Sequence, residues 1–296
     1  MIAVDWGTSS LRAARLDAQG QVLEERETPM GILHVPAGGF ETVFQAALGD
    51  WWAEDTLCLM AGMVGSQQGW QMAPYCPCPA GWNELAAALH WIEPGRLAIV
   101  PGLCCGDSHP ADPWAEPPDV MRGEEVQVLG TLRALDLRDA TLVLPGTHSK
   151  WVTVRDGRIQ HFKTYMTGEC YQLLRHQSLL ARTLPATDGE PDSEAFAEGV
   201  RRALEGRGLL HNAFSTRTLA LFERVAAARL SDYLSGLVIG EEIRQEAAAD
   251  RAPLWLVGAD HLSRRYQHAL SIAGVAAECA PPQASWSALW RFSQCL

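Results

Sequence analysis

The sequence predicts an α/β protein made of two duplicated lobes, each a mixed sheet flanked by helices. Three observations carry that expectation. The stretches from Ile2 to Thr28 and from Thr141 to Thr164 each read as three short strands joined by tight turns. Each meander is followed by helices alternating with short apolar runs. The chain has 296 residues, 47% of them hydrophobic and spread along its length, more than one small core needs. The expected boundaries are 1–138 for the first lobe and 139–296 for the second, with a helical insertion in the second at about 165–240.

In order, Ile2 to Val4 forms an apolar strand that ends at Asp5, and a turn of small residues follows (Gly7, Thr8, Ser9, Ser10). The return strand leaves through Leu11-Arg12, turns at Gln19-Gly20 and is joined by Gln21 to Thr28. Phe40 to Glu54 has helical spacing through Val43, Phe44, Ala47, Leu48 and Trp51. Thr56 to Met63 is a buried strand closing in Gly62-Met-Val-Gly-Ser66. Trp82 to Trp91 is expected as a helix, Arg96 to Gly102 as a strand, Gly106 to Pro118 as a loop and Met121 to Leu137 as a helix.

The pattern then restarts. Thr141 to Pro145 is a strand, Gly146-Thr-His-Ser149 a turn, Lys150 to Val154 the return, Asp156-Gly157 a hairpin turn and Arg158 to Thr164 a third strand. Helices are expected at Gly168–Arg182, Ser193–Leu204, Thr216–Ala228 and Ser231–Ala249. Leu254 to Val257 is a strand, His261 to Ala273 a helix, Val275 to Ala280 a strand and Ala284 to Phe292 a final helix.

The charge of -11 and the lack of a basic block argue against nucleic acid as a partner. No run of eighteen apolar residues suggests a membrane span, and a start directly in a strand leaves no signal peptide. A cytoplasmic protein is expected, and a homodimer stays open. The eight cysteines have no ligand spacing and read as buried free thiols. Lys150 and Lys163 are the only lysines, both in one short region.

A turn rich in hydroxyls and backbone N–H groups, with an acid beside it, suits a phosphate chain and its metal. Asp5 can orient a Mg²⁺ or simply accept from hairpin amides. Gly7, Thr8 and Ser9 would donate to the phosphates, and Arg12 would join them or stay solvated. Gly146, Thr147 and His148 form the second such turn, and duplication would set the two opposite each other across a cleft. Lys150 could neutralise a phosphate or a substrate carboxylate.

Met121-Arg-Gly-Glu-Glu125 opens a helix, where acids ordinarily complement the helix dipole. Here a carboxylate could also take a proton from an attacking hydroxyl, with Glu124 preferred over Glu125. Arg122 could pair with an acidic substrate. The backbone of Gly62, Met63, Val64 and Gly65 could line its pocket, and Gly258 and Ala259 could pack on an adenine ring.

The twin hairpins and doubled topology resemble the superfamily of sugar kinases, actin and heat-shock ATPases, whose lobes are ribonuclease-H-like. Within it, the chain is similar from end to end to the 2-dehydro-3-deoxygalactonokinase family. The matching pieces include Asp5-Trp-Gly-Thr-Ser-Ser-Leu-Arg12, Ala61-Gly-Met-Val-Gly-Ser66, Met121-Arg-Gly-Glu-Glu125, Leu144-Pro-Gly-Thr-His-Ser-Lys-Trp-Val152, Met166-Thr-Gly-Glu169 and Leu234-Ser-Gly-Leu-Val-Ile-Gly240. The resemblance implies phosphorylation of the 6-hydroxyl of 2-dehydro-3-deoxy-D-galactonate, with ATP and Mg²⁺, in galactonate breakdown. It also supports Glu124 as base, because related sugar kinases open a helix with Gly-Asp where this chain has Gly123-Glu124. The chain departs from the superfamily's adjacent glycines at Gly258-Ala259-Asp260. A kinase for another sugar acid or ketose, a phosphohydrolase and a non-catalytic sugar sensor remain as alternatives.

Overall fold

The structure is a computed structural model that describes all residues except 54–55, 108–110, 113, 188, 247–253 and 282–283. Strands β1 (Ile2–Trp6), β2 (Leu11–Leu16) and β3 (Val22–Thr28) form the first meander, followed by helix α1 (Phe40–Leu48) and strand β4 (Cys58–Ala61). Next come β5 (Cys76–Pro77), α2 (Trp82–Ala87), β6 (His90–Glu93), β7 (Leu97–Ile99), β8 (Leu103–Cys105), β9 (Asp119–Met121) and α3 (Glu124–Ala134). The second meander is β10 (Ala140–Leu144), β11 (Ser149–Arg155) and β12 (Arg158–Tyr165). Four helices follow, α4 (Thr167–His176), α5 (Ser193–Leu204), α6 (Leu209–Leu221) and α7 (Leu230–Glu246). The chain continues through β13 (Leu254–Leu256), α8 (Asp260–Ile272), β14 (Glu278–Cys279) and α9 (Ala284–Ser293).

Two sheets repeat one design. The first has the order β3-β2-β1-β4-β7-β6 and the second β12-β11-β10-β13-β14. In each, the meander's first strand is central and meets the next sheet strand of its own half in parallel: β1 with β4, β10 with β13. Strands buried on both faces read as continuous apolar runs, as β4 and β10 do. A third, three-stranded sheet, β5-β8-β9, leads straight into α3.

The chain divides into two compact units, residues 1–140, 152–162 and 281–296 in one, and residues 141–151 and 163–280 in the other. The expected cut lies at 138/139 and the first division falls at 140/141, but residues 152–162 and 281–296, expected in the second lobe, count with the first unit. There α9 packs on α3 and β1. Trp286 donates its indole N–H to Glu25 at 2.5 Å, Arg133 lies 4.6 Å over the Trp290 ring, and Trp82 meets Phe292 at 4.9 Å.

In the second unit, α5 and α7 touch almost backbone to backbone. A Cβ on Gly236 would sit 2.1 Å from the Phe196 carbonyl oxygen, and one on Gly199 2.1 Å from that of Tyr233. No helix among the described residues is long and apolar enough to cross a membrane.

Several element bounds differ from expectation. Met121 ends a strand, and α3 begins three residues later, because β9 pairs with β8 (Leu103 opposite Met121) and Gly123 turns the chain at φ +103°. The expected helix at Trp82–Trp91 stops at Ala87, and His90 onward pairs with β7 instead. Helix α6 starts at Leu209, earlier than the expected Thr216, and ends at Leu221. Glu54, the ends expected at 247–249 and part of the loop 106–118 lie outside the described residues. The described cysteines are free, but only Cys58 and Cys76 are buried, so the expectation of buried thiols holds for those two alone.

Candidate functional site

In the first unit, three chain segments converge where β1 and β4 end. Their parallel register sets Asp5 beside Ala61, so Gly62 follows directly at the level of Asp5. Gly62 has φ +94°; a Cβ there would lie 2.9 Å from the Trp6 carbonyl oxygen and 3.3 Å from Asp5 Oδ1. A Cβ on Gly123 would lie 3.1 Å from Gly62 Cα. Only glycine tolerates both the positive φ and the contact, so the two residues let the start of α3 approach the carboxylate of Asp5. This is the carboxyl end of a parallel strand pair, where ligands bind in open α/β sheets.

The two carboxylates at the start of α3 occupy different surroundings. Glu124 is half-buried, and its Oε2 accepts the Arg122 backbone N–H at 3.0 Å. Glu125 is wholly buried, with both oxygens accepting the Gly123 N–H, at 2.9 and 2.7 Å. Burial, and then the charge of Glu124, push the Glu125 carboxyl up to about 8, against the pull of the backbone N–H groups and Arg122. Glu125 is therefore held protonated at neutral pH, a state that suits a structural donor and acceptor better than a general base.

Asp5 and Arg12, expected to act on metal and phosphate separately, are hydrogen-bonded to each other across the β1–β2 pair. Thr8 and Ser9 are exposed at the turn, and Gly7 closes it by donating to the Ser10 carbonyl at 3.0 Å. The turn is braced from behind. Ile32 donates to Gly7 O at 3.0 Å, and Gly31 lies so close to Thr8 and Ser9 that a Cβ would overlap their backbone at 2.3 Å.

Arg122 is almost fully buried at 8% exposure. Its Nη2 donates to the Ala73 carbonyl at 2.7 Å, its guanidinium lies 4.4 Å over the Tyr75 ring, and Nη1 would meet a Cβ on Gly65 at 2.8 Å. The side chain clasps the 62–75 segment. Of that segment Val64 and Gly65 are buried, while Met63 is partly exposed.

In the second unit, a cavity of about 660 Å³ opens beside the turn between β10 and β11, within the size range of small-molecule sites. Gly146 and Thr147 form one wall, and Thr167, Gly168 and Tyr171 at the start of α4 form another. Ser235 and Ile239 of α7, with Ala259, Leu262 and Tyr266 around the start of α8, complete it. Glycine is required at 168, where a Cβ would lie 2.4 Å from Gly146 O.

The structure thus brings Gly146, Thr147 and Ala259 together at one cavity. Gly258, at φ +148°, approaches the carbonyl of Pro145, which also lines it. His148 pairs with Glu169 at 2.6 Å. Lys150 lies inside β11 at 4% exposure.

Sequence reasoning missed Glu242. This α7 carboxylate, 2% exposed, accepts from four side chains: Ser149 and Trp151 at 2.7 Å, Tyr266 at 2.7 Å, and Thr167. Burial pushes its carboxyl above the usual range while the four donors pull it down. The available signal was an acidic pair, Glu241-Glu242, ending the apolar run Leu237 to Gly240 of a helix.

Comparison with known proteins places these features in context. The profile of the 2-keto-3-deoxy-galactonokinase family matches residues 5–292. The 2-dehydro-3-deoxygalactonokinase of Escherichia coli (strain K12) is 35% identical over 277 residues, 92% of this chain and 90% of that one. A crystal structure from Sinorhizobium meliloti, provisionally assigned as a 2-dehydro-3-deoxygalactonokinase, superposes with TM-score 0.86 at 34% identity, covering 99% of this chain and 97% of the other. A Porphyromonas gingivalis protein provisionally assigned as an N-acetylglucosamine kinase shares the fold at TM-score 0.51 and 13% identity over the whole of both chains.

Proposed function

This chain belongs to the 2-keto-3-deoxy-galactonokinase family, and from that premise we propose that it transfers the terminal phosphoryl group of ATP to the 6-hydroxyl of 2-dehydro-3-deoxy-D-galactonate. The observation that carries the reading is the similarity, over nine-tenths of both chains, to the E. coli enzyme whose name states that acceptor. The convergence of Asp5, Gly62 and Gly123-Glu124 supports it from the geometry.

In this reading Glu124 is the general base. It takes the proton of the acceptor hydroxyl as that oxygen bonds to phosphorus and the bond to ADP breaks. Its backbone tie to Arg122 N–H holds one oxygen and orients the other. Such a base acts mainly by positioning, since charge stabilisation dominates phosphoryl transfer. Glu125, kept neutral by burial, anchors the helix start and leaves the base role to its neighbour.

Asp5 fits a magnesium ion, which takes oxygen ligands and needs only one or two protein carboxylates beside phosphate oxygens and water. Gly62, lacking a Cβ, leaves the Oδ1 side of that carboxylate clear. When bound, the metal would neutralise phosphate charge. Thr8, Ser9 and the turn amides would donate to phosphate oxygens, and Arg12 would hold the Asp5 carboxylate in place. In the second unit, the Gly146-Thr147 turn would hold phosphates and the adjoining cavity the nucleoside. Arg122 is assigned to shaping the 62–75 segment that would line the acceptor pocket, more than to direct contact.

The decisive experiment replaces Glu124 by Gln and follows ADP formation with the galactonate- and gluconate-derived keto-deoxy acids. The expected result is a galactonate-selective wild type and a folded variant whose kcat falls by about 10²-fold or more. Near-normal turnover would remove Glu124 from the role. Equal ATP turnover without any acceptor would replace the kinase reading with a hydrolase.

A further inference from the structure

We propose that Glu242 is a positioning residue for the nucleotide: one buried carboxylate fixes both the wall of the second unit's cavity and the residue next to its phosphate turn. The inference rests on the reading of that cavity as the nucleotide site. Its basis is the connectivity of four donors. Oε1 of Glu242 accepts from Ser149 Oγ and Trp151 Nε1, each at 2.7 Å. Oε2 accepts from Tyr266 Oη at 2.7 Å and from Thr167 Oγ1.

Thr167 and Tyr266 line the cavity. Ser149 directly follows the Gly146-Thr147-His148 turn on β11. The four donors come from three elements, β11, α4 and α8, and each is at most 7% exposed. None can turn to water instead, so the carboxylate dictates where each sits. The start of α4 is placed twice over. Thr167 is held by Glu242, while Glu169 donates its backbone N–H to Thr147 O at 3.0 Å. A shift in Glu242 would therefore move the turn and the cavity wall together.

The test compares wild type with Glu242→Gln, Thr167→Val and Tyr266→Phe. A non-hydrolysable ATP analogue is titrated to give Kd, KM is measured separately for ATP and for the sugar acid, and thermal melts report folding. Gln keeps the size but turns one acceptor oxygen into a donor, leaving two of the four partners facing an N–H group. The expected result is a Kd and ATP KM raised about tenfold or more in Glu242→Gln, and several-fold in the single-donor variants, with sugar-acid KM within about twofold.

An unchanged Kd in folded Glu242→Gln would overturn the proposal. So would a parallel rise of both KM values tracking lost thermal stability, since that marks a general structural role. If Glu242→Gln does not fold, Thr167→Val and Tyr266→Phe decide by the same criteria. Failure of wild type itself to bind the analogue would refute the nucleotide reading of the cavity, and this inference with it.

Discussion

Replacing Glu125 by Gln should change how stability depends on pH more than it changes stability at any one pH. In the folded chain this carboxyl is buried and its pKa is pushed to about 8, whereas an exposed glutamate titrates near 4.5. Below about pH 4.5 both states hold the proton and the group contributes no pH dependence. Between about 4.5 and 8 the unfolded chain releases a proton that the folded chain keeps. The stabilisation from the protonated side chain is thus fully present below the lower value and is lost as pH rises through the upper one.

The loss is about 1.4 kcal/mol per pH unit, and at most about 5 kcal/mol over the whole window. Gln retains a carbonyl for the Gly123 N–H and does not titrate. Urea unfolding at pH 5, 6, 7 and 8, read by fluorescence of the 11 tryptophans, isolates the group, because all other titrations cancel in the difference between the proteins. From pH 5 to 7 wild type should lose about 3 kcal/mol relative to Glu125→Gln. A difference that stays flat within about 0.5 kcal/mol would show that Glu125 ionises normally in the fold.

Three further outcomes follow from the same geometry. Gly62→Ala should cost about 1–3 kcal/mol of stability from backbone strain alone and should also lower kcat, because its Cβ would crowd Trp6 O and Asp5 Oδ1; wild-type kcat with a wild-type melt would contradict the convergence. Asp5→Asn should raise the magnesium concentration needed for half-maximal rate, and an unchanged magnesium titration would remove Asp5 from the metal role. Gly168→Ala, whose Cβ would press on Gly146 O at 2.4 Å, should weaken binding of an ATP analogue severalfold while sparing sugar-acid KM, which steady-state kinetics can resolve.

Much of the fold could be read from the residues because both meanders obey simple local rules. Short apolar runs and turn chemistry mark Ile2–Thr28 and Thr141–Thr164, and a repeated element order implies a repeated sheet. The three-stranded sheet β5-β8-β9 was not legible. Strands of two or three residues carry no periodicity, and their pairing depends on chain brought from 76, 103 and 121. The same pairing moved the start of α3 from Met121 to Glu124, since Val120-Met121 is as apolar as a helix face. Gly146, Thr147 and Ala259, which line one cavity, were legible as candidates because glycine-rich turns announce themselves. Glu242 was not, because its importance comes from four partners between 24 and 93 residues away. Lys150 stood out in a lysine-poor chain, but its burial was not legible, because β11 is buried on both faces from Ser149 to Val152.

The return of α9 to the first unit has a consequence for biogenesis. Helices α3 and α9, the Trp286–Glu25 bond and the Trp82–Phe292 contact all belong to the first unit, yet both stretches of the second unit, 141–151 and 163–280, are made between α3 and α9. On the ribosome, the apolar side of α3 therefore waits uncovered while the whole second unit is synthesised. Domains that fold in order of synthesis bury such surfaces early. Here the helix that begins at Glu124 meets α9 only once residues 284–293 are made, so chains cut short before them would leave that side of α3 open to chaperones.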